Sequence, residues 1–286
     1  MPPKHPENKT VLITGCSSGI GYCVAHGLKQ RGYFVIATAR REESVAMLKS
    51  EGFDSLRLDL ADADSVEKGF TQAMELTGGR LYALFNNGAF GLPGAVEDLS
   101  RDALKTQFET NVFGWQQLTN LAIPVMRRQG YGRIIQNSSV LGFVAMPFRG
   151  AYNASKFAIE GLTDTLRLEL KGSGIEISLI EPGPITSRFR ANAVRALEQY
   201  IDIDGSIHRD KYRGVLERLH KEGPAAPFTL PPEAVLKRVI HALEARKPRA
   251  RYYVTAPTYI FGFLKRTLST RQLDYLLAKA GSDGKN

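Results

Sequence analysis

The feature that most constrains this chain is a glycine-rich turn between a short apolar run and a helical pattern. Residues 10–14 (TVLIT) are apolar and rich in β-branched side chains, and the turn at residues 14–21 has the spacing G-x-x-x-G-x-G. Glycine permits a tight turn and lets backbone N–H groups at a helix N-terminus approach an anion. The arrangement therefore predicts a phosphate-binding turn that opens an α/β unit. A turn with a purely structural role is the alternative.

Seven short apolar runs recur along the chain, and longer segments with helical spacing separate them. The predicted strands are residues 10–14, 34–37, 56–58, 81–85, 133–136, 175–180 and 251–254. Strands that are buried on both faces and alternate with helices are typical of a doubly wound parallel sheet. No linker divides the chain. The sequence therefore predicts a single-domain, Rossmann-like α/β fold over residues 1–286, with helices on both faces of a sheet of about seven strands.

The core of the predicted domain spans about residues 9–255. Two segments depart from the alternation of strands and helices. Residues 188–231 are polar with helical fragments, and we expect them to form a helical substrate lid. Residues 257–286 form an amphipathic tail, in which Leu and Phe interleave with Lys265, Arg266 and Arg271. Such a tail packs on its own domain, on a second subunit or on an anionic membrane surface. The sequence leaves these three alternatives open, so peripheral membrane contact is a hypothesis.

The composition narrows the class of protein. The net charge is +9, but the basic residues are spread along the chain, and no basic-aromatic motif predicts a nucleic-acid partner. Two cysteines, Cys16 and Cys23, are too few for a disulfide framework, which favours a cytoplasmic location. The histidines are scattered, so we expect no metal site. We find no apolar stretch of the roughly 18 residues that a membrane span needs.

The end of the second predicted strand bears on the cofactor. An NAD site usually carries a carboxylate there, about 20 residues after the glycines, which accepts a hydrogen bond from the ribose 2′-hydroxyl. This chain has Ala39, Arg40 and Arg41 instead, and Glu42 is the first acid. Because a carboxylate would repel a 2′-phosphate and arginine would bind it, we predict NADP(H). In the alternative, both arginines are merely solvated.

Tyr152 and Lys156 are the candidate residues for proton transfer. They are four positions apart at the start of a helical pattern, so both side chains point to one face. A neighbouring ammonium is expected to lower the pKa of a phenol from its ordinary value of about 10. Upstream, Ser138 and Ser139 end a predicted strand, where a hydroxyl would hold a carbonyl oxygen beside the phenol. By itself, a Y-x-x-x-K pair is usually a surface coincidence.

Together, these motifs resemble those of the short-chain dehydrogenase/reductase family. They are T-G-x-x-x-G-I-G at residues 14–21, Asp59-Leu60, Asn86-Asn87, Asn111, Ser139, Tyr152 with Lys156, and Pro182-Gly183. The resemblance covers about residues 9–255. It is closest to bacterial NADP-dependent aldehyde reductases and to the branch of hydroxysteroid and retinol dehydrogenases. It implies hydride transfer between NADP(H) and a carbonyl or alcohol, and a homo-oligomer.

The resemblance also implies a role for each matching residue. Tyr152 would be the general acid in reduction and the base in oxidation, and Lys156 would lower its pKa and bind the nicotinamide ribose. Ser139 would hydrogen-bond the substrate oxygen, and Asn111 would hold a water that links Lys156 to solvent. The full set of predicted cofactor-binding residues is Gly15, Ser17, Ser18, Gly19, Ile20, Gly21, Ala39, Arg40, Arg41, Asp59, Leu60, Asn87, Tyr152, Lys156, Ile185, Thr186 and Ser187.

Two positions depart from the family pattern. The usual N-N-A-G is replaced by N-N-G-A, and Ala89 would strain the turn if the backbone there needs positive φ. Alternatively, Gly88 moves the flexible point by one residue. The usual P-G-x-x-x-T carries Ser187 at the threonine position, directly after Thr186, so either hydroxyl would meet the nicotinamide carboxamide.

The loops beside the predicted centre indicate a class of substrate. Residues 90–96 and 140–148 are rich in Leu, Phe, Val and Met, which favours a small hydrophobic carbonyl or alcohol substrate. In the alternative, these residues only pack the lid onto the sheet. We therefore expect an NADPH-dependent reductase of a hydrophobic aldehyde or ketone. Two other functions stay open: oxidation of a retinol- or hydroxysteroid-type alcohol, and non-catalytic NADP(H) binding.

Overall fold

The computed structural model describes residues 9–221, 223 and 226–281. The parts of the predicted domain, lid and tail that fall on residues 1–8, 222, 224, 225 and 282–286 lie outside the described residues. The strands in the described part are β1 (Thr10–Ile13), β2 (Phe34–Ala39), β3 (Asp54–Arg57), β4 (Ala83–Asn86), β5 (Gly132–Asn137), β6 (Ile175–Glu181) and β7 (Arg251–Tyr253). They form one sheet in the order β3-β2-β1-β4-β5-β6-β7, and every neighbouring pair is parallel. The predicted single-domain α/β fold with a parallel sheet is confirmed.

Helices cover both faces of the sheet. Those in the described residues are α1 (Gly19–Gln30), α2 (Glu42–Ser50), α3 (Ala63–Leu76), α4 (Arg101–Phe108), α5 (Gly114–Gln129), α6 (Gly150–Glu169), α7 (Phe189–Tyr200), α8 (Arg209–His220), α9 (Glu233–Glu244), α10 (Ala256–Thr267) and α11 (Thr270–Gly281). Val11 and Ile13 of β1 pack into a core with α1, α2 and α9, whereas Leu12 packs into a second core with α3 and α5. Successive strand residues thus serve opposite layers, which explains why the strands are apolar throughout.

The strand order reverses at β1, which lies between β2 and β4. In an open α/β sheet, the carboxyl ends of the strands form a crevice at such a reversal. The loops after β1, β2, β4 and β5 begin at Thr14, Arg40, Asn87 and Ser138. The topology therefore brings the glycine turn, the arginine corner and the serine loop to one edge of the sheet.

The predicted lid segment, residues 188–231, contains α7 and α8. Leu197 and Tyr212 pack on Leu92, which lies in the loop after β4. Asp98 in the same loop accepts hydrogen bonds from Tyr212 at 2.6 Å and from Ser206 at 2.7 Å. The segment is therefore attached to the loop after β4 by both apolar and polar contacts. Residues 222, 224 and 225 lie outside the described part of the chain.

The C-terminal tail packs on its own domain through α10 and α11. Leu277 is buried with Val140 and Val144, which follow β5. Lys265 donates a hydrogen bond to the carbonyl of Phe143 in the same loop. One of the three alternatives for the tail is thus observed, although residues 282–286 lie outside the described residues. Among the helices that the structure describes, none has the length and apolar character of a membrane span.

The start of α5 gives a test of this packing. A Cβ at Gly114 would lie 2.0 Å from the carbonyl oxygen of Leu60, so Gly114→Ala should destabilise the protein by about 1–3 kcal/mol in chemical denaturation. The matched control is Gly161→Ala at an exposed position of α6, where no described atom outside the adjoining residues and the helix's own backbone lies within 4 Å of the added Cβ. Alanine there should stabilise the helix by about 0.5–1 kcal/mol. Equal unfolding free energies for the two variants would contradict this packing.

Candidate active site

The glycine-rich turn is shaped for close approach of an anion. Gly15 and Gly19 have φ angles of +72° and +60°, which favour glycine. A Cβ at Gly21 would lie 2.3 Å from the carbonyl oxygen of Gly15. Ser18 caps α1 without a side-chain hydrogen bond to the helix, and the first turn of α1 contains no acid. No side chain of Ser18 or of the first turn therefore neutralises the positive end of the helix dipole, and this end of α1 can bind a phosphate of a dinucleotide.

Hydrogen bonds tie this turn to the end of β4. The Thr14 hydroxyl accepts from the backbone N–H groups of Asn87 and Gly88, both at 2.9 Å. Asn87 donates through Nδ2 to the carbonyl of Thr14 at 2.9 Å. Neither Gly88 nor Ala89 has positive φ, so the exchanged order N-N-G-A causes no backbone strain. The two loops approach closely here: a Cβ at Gly15 would lie 2.5 Å from the Cα of Gly88, and a Cβ at Gly88 would lie 3.3 Å from the backbone nitrogen of Gly15.

The structure brings the candidate proton-transfer residues together at the start of α6. The Nζ atom of Lys156 lies 5.6 Å from the ring centroid of Tyr152 and 4.2 Å from that of Trp115. It donates a hydrogen bond of 2.8 Å to the carbonyl of Asn137, at the end of β5. Ser139 lies close enough to Tyr152 for its hydroxyl to lower the pKa of the phenol. A phenol, a hydroxyl and an amine thus share one location.

Burial sets the protonation of this centre. It raises the pKa of Tyr152 to about 12, and the hydroxyl of Ser139 opposes the rise. It lowers the pKa of Lys156 to about 7, and the charge of Glu160 opposes that fall. The expected lowering of the tyrosine pKa is therefore not found in the protein alone, because removal of the phenol from water outweighs its partners. The phenol is protonated at neutral pH.

Asn111 lies behind this centre in a π-helical segment, Glu109–Phe113, between α4 and α5. Its buried Nδ2 donates to the carbonyl of Phe90 at 2.9 Å and to Ser155 Oγ at 3.1 Å. The side chain thus joins the loop after β4 to α6 and does not bond to Lys156. Isolated π-helical turns are frequent at functional sites. The role of Asn111 in holding a water remains a prediction.

A cleft of about 1900 Å³ opens at this edge of the sheet. The predicted site residues that line it are Gly15, Ser17, Ser18, Gly19, Ile20, Asn87, Ser139, Tyr152, Lys156, Ile185, Thr186 and Ser187. The predicted residues outside its lining are Gly21, Ala39, Arg40, Arg41, Asp59, Leu60 and Asn111. Gly21, Ala39, Leu60 and Asn111 are buried behind the surface, whereas the two arginines are exposed after β2. The cleft is large enough for a dinucleotide together with a small substrate.

One part of the cleft wall, beside Tyr152, is apolar, although charged side chains such as Arg188 and Lys211 also line the cleft. The ring of Phe189, at the start of α7, meets the Tyr152 ring edge-on with centroids 5.4 Å apart. Phe148 adds a ring from the loop after β5, and Ile260 and Phe261 add side chains from α10. Sequence reasoning treated the tail apart from the site and missed this contribution. No local signal marked it, because contact between the tail and the loop depends on tertiary packing.

Sequence reasoning also missed a buried carboxylate cluster next to the centre. Glu160 accepts a hydrogen bond from Ser138 and pairs with Arg251 of β7. Arg251 also pairs with Glu181 and Asp164, each at 2.6 Å. The position of Glu160, four residues after Lys156, was the signal that could have found it.

Comparison with known proteins shows the family of this chain. The family model for short chain dehydrogenases matches residues 9–198. The chain therefore belongs to the short-chain dehydrogenase/reductase family, and it has the oxidoreductase fold and motif order of that family.

Three relatives show how far the similarity extends. The chain is 43% identical to the uncharacterised oxidoreductase YbbO of Escherichia coli strain K12, over 94% of each chain. It is 34% identical to human 17-beta-hydroxysteroid dehydrogenase type 1, over 86% of this chain and 77% of the relative. It is 31% identical to the NADPH-dependent 3-dehydrocapnine reductase of Ornithobacterium rhinotracheale, over 94% of this chain and 95% of the relative. The predicted membership of this family is confirmed.

The buried lysine predicts a pH-dependent stability. Between pH 7 and the ordinary lysine pKa of about 10.4, the unfolded chain binds a proton at residue 156 that the folded protein lacks. The free energy of unfolding of the wild type should therefore rise with pH from 7 to 9, relative to that of Lys156→Met. Denaturation of the cofactor-free proteins at several pH values measures this difference. The exposed-site control, Lys171→Met, should show no such trend, and a flat difference for Lys156→Met would contradict its burial as a neutral amine.

Proposed function

We propose that the protein is an NADP(H)-dependent oxidoreductase that reduces a hydrophobic aldehyde or ketone to the alcohol. The observation that carries this proposal is the convergence of Ser139, Tyr152 and Lys156 in one cleft with the glycine turn. NADPH bound there supplies the hydride. The protein supplies a proton, a hydrogen bond to the carbonyl oxygen and the exclusion of water.

Tyr152 acts as the general acid. Its phenol is protonated at neutral pH and lies close to the Ser139 hydroxyl, which supports a mechanism in which both hydroxyls donate to one carbonyl oxygen. As charge develops on that oxygen, the proton passes from Tyr152 Oη to the nascent alkoxide. Lys156 stabilises the phenolate that remains. Asn111 would link Lys156 to solvent through a water, so that the centre regains its proton.

The cofactor would lie across the glycine turn. Ser17, Ser18 and the N-terminus of α1 would hold the pyrophosphate, and Asp59 and Leu60 would border the adenine. Ile185 and the hydroxyl of Thr186 or Ser187 would meet the carboxamide. NADP(H) is supported by exposed arginines and the absence of an acid at residues 39–41. It is also supported by the relative described as NADPH-dependent.

The substrate is a hydrophobic carbonyl compound. Phe189 stands against Tyr152, and Phe148 and Phe261 extend the apolar wall. Contact with these side chains removes apolar surface from water, which favours a carbonyl flanked by hydrocarbon. An NADPH-oxidation screen of aldehydes and ketones of graded chain length would identify the group that fits.

Oxidation of a retinol- or hydroxysteroid-type alcohol is the second candidate, since hydride transfer is reversible and a hydroxysteroid dehydrogenase is a relative. The ratio of reduced to oxidised cofactor, and not the enzyme, sets the direction of this reversible reaction. A non-catalytic NADP(H)-binding protein is the weakest candidate, because Ser139, Tyr152 and Lys156 are all present in one cleft.

Three further properties are proposed. A reducing, cytoplasmic setting is supported by free Cys16 and Cys23. Homo-oligomerisation is proposed from the family, and contact of the tail with an anionic membrane from exposed Tyr259 and Phe263 on α10. Unchanged liposome sedimentation after deletion of residues 257–286 would rule out the membrane contact.

Tyr152→Phe removes the transferable proton and keeps the ring. We expect kcat of carbonyl reduction to fall by roughly 100-fold or more, while NADPH affinity, measured by fluorescence titration, stays near that of the wild type. Tyr131→Phe, before β5 and away from the cleft, is the matched control and should keep its activity. A fully active Tyr152→Phe enzyme would refute the proposed mechanism.

Arg40→Asp tests the cofactor. Loss of a charge-assisted hydrogen bond to a 2′-phosphate should raise the KM for NADPH by roughly 10-fold to 100-fold, and the KM for NADH should fall or stay level. Arg80→Asp is the exposed control, because residue 80 precedes β4 at the opposite edge of the sheet. If Arg40→Asp leaves the KM for NADPH unchanged, the arginine is merely solvated.

A further inference from the structure

Glu160 lies one helical turn after Lys156 and is only 6% exposed. One carboxylate oxygen, Oε1, accepts the hydroxyl of Ser138, which directly precedes the substrate-facing Ser139. The other oxygen, Oε2, pairs with the guanidinium of Arg251. One buried side chain thus contacts the loop that carries Ser139 and belongs to the helix that carries Tyr152 and Lys156.

Arg251 fixes the carboxylate in this position. Its guanidinium contacts three carboxyl groups from two elements: Glu160 and Asp164 of α6, and Glu181 at the end of β6. The last two contacts are each 2.6 Å long. Glu181 is 0% exposed. The fork geometry of arginine allows this bridging, which the point charge of a lysine could not reproduce.

The loop after β5 closes over the carboxylate. A Cβ at Gly142 would lie 2.6 Å from Ser138 Oγ and 2.9 Å from Glu160 Cγ. The backbone at Gly142 is therefore packed directly against the hydrogen bond between Ser138 and Glu160. Rotation of Glu160 is therefore blocked on this side, and rotation of Ser138 is blocked with it. The contact positions the start of the turn in which Ser139 caps residues 140–142.

The titratable groups of this cluster act on one another. Burial raises the pKa of Glu160, and the Ser138 hydroxyl and Arg251 oppose that rise. Burial and the neighbouring Glu160 also raise the pKa of Glu181 to about 8, and Arg251 opposes that rise. Glu160 faces Arg251 from β7, Lys156 from its own helix and Lys265 from α10. Asp164 and Tyr253 complete the titratable groups around it. A buried carboxylate is expensive without such partners, which argues for a role.

We propose that Glu160, locked by Arg251, is a positioning residue of the catalytic centre, which fixes Ser138 beside Ser139 and supports the positive charge of Lys156. It touches neither substrate nor cofactor and acts through these neighbours. The proposal rests on the proposed function, since it assigns Ser139 and Lys156 their roles. Both effects depend on one carboxylate, and a separate variant tests each of them.

The first test follows Lys156 without cofactor or substrate. Protein labelled with ¹³C at lysine Cε is titrated by NMR, and Lys156→Arg assigns the signal. The wild-type midpoint should lie near pH 7. In Glu160→Gln it should move down by about one pH unit, because an opposing charge is lost. Glu169→Gln, an exposed position on the same helix, should leave it unchanged. An unchanged midpoint in folded Glu160→Gln would overturn the charge role.

The second test follows Ser139 through turnover. Ser138→Ala removes one hydroxyl and should lower kcat by about 10-fold to 100-fold, with the KM for NADPH unchanged, because the serine beside it loses its fixed position. Unchanged kcat in Ser138→Ala would overturn the positioning role, and this variant decides the matter if Glu160→Gln does not fold. Failure of the proposed function is distinguishable, because a wild type inactive toward every carbonyl would still give the NMR result.

Discussion

The centre of this structure depends on the burial of one amine. Lys156 is 1% exposed. Its Nζ lies near the backbone carbonyl of Asn137 and the ring of Trp115, and the carboxylate of Glu160 is one helical turn away. An ammonium in this place would be costly without those partners, and burial still brings its pKa to about 7. The amine therefore exists in both charged and neutral forms near pH 7. Its neighbour Tyr152 stays protonated at that pH.

The sheet makes this arrangement precise. Parallel strands end at one edge of the sheet, so the loops that follow them lie together. The loop after β1 supplies the glycine turn, and the loop after β4 supplies Asn87. The last residue of β5 supplies the carbonyl of Asn137, and the loop after β5 supplies Ser139. The helix α6 then lays Tyr152 and Lys156 over that edge. Arg251 holds α6 to β6 and β7 through Glu160 and Glu181. Rigid elements therefore carry each of the proposed catalytic groups, and rigid placement of such groups is what catalysis requires.

Much of this could be predicted from the sequence, because local patterns encode it. Apolar runs and glycine spacing gave the strands and the turn, and the four-residue spacing of Tyr152 and Lys156 gave their shared face. The pKa of Tyr152 could not be predicted, since it depends on how completely tertiary packing excludes water. The pairing of Glu160 with Arg251, 91 residues away, and the contact of α11 with the loop after β5 are equally non-local.

The central claim is that Tyr152 and Ser139 donate together to the oxygen of a hydrophobic carbonyl compound. It is tested most directly by a crystal structure of the protein with NADP⁺ and an unreactive analogue of a carbonyl substrate found by screening. The account predicts the analogue oxygen within about 2.6–3.2 Å of both Tyr152 Oη and Ser139 Oγ, with its hydrocarbon against Phe189. An analogue whose oxygen meets other donors, with Tyr152 facing away, would contradict it.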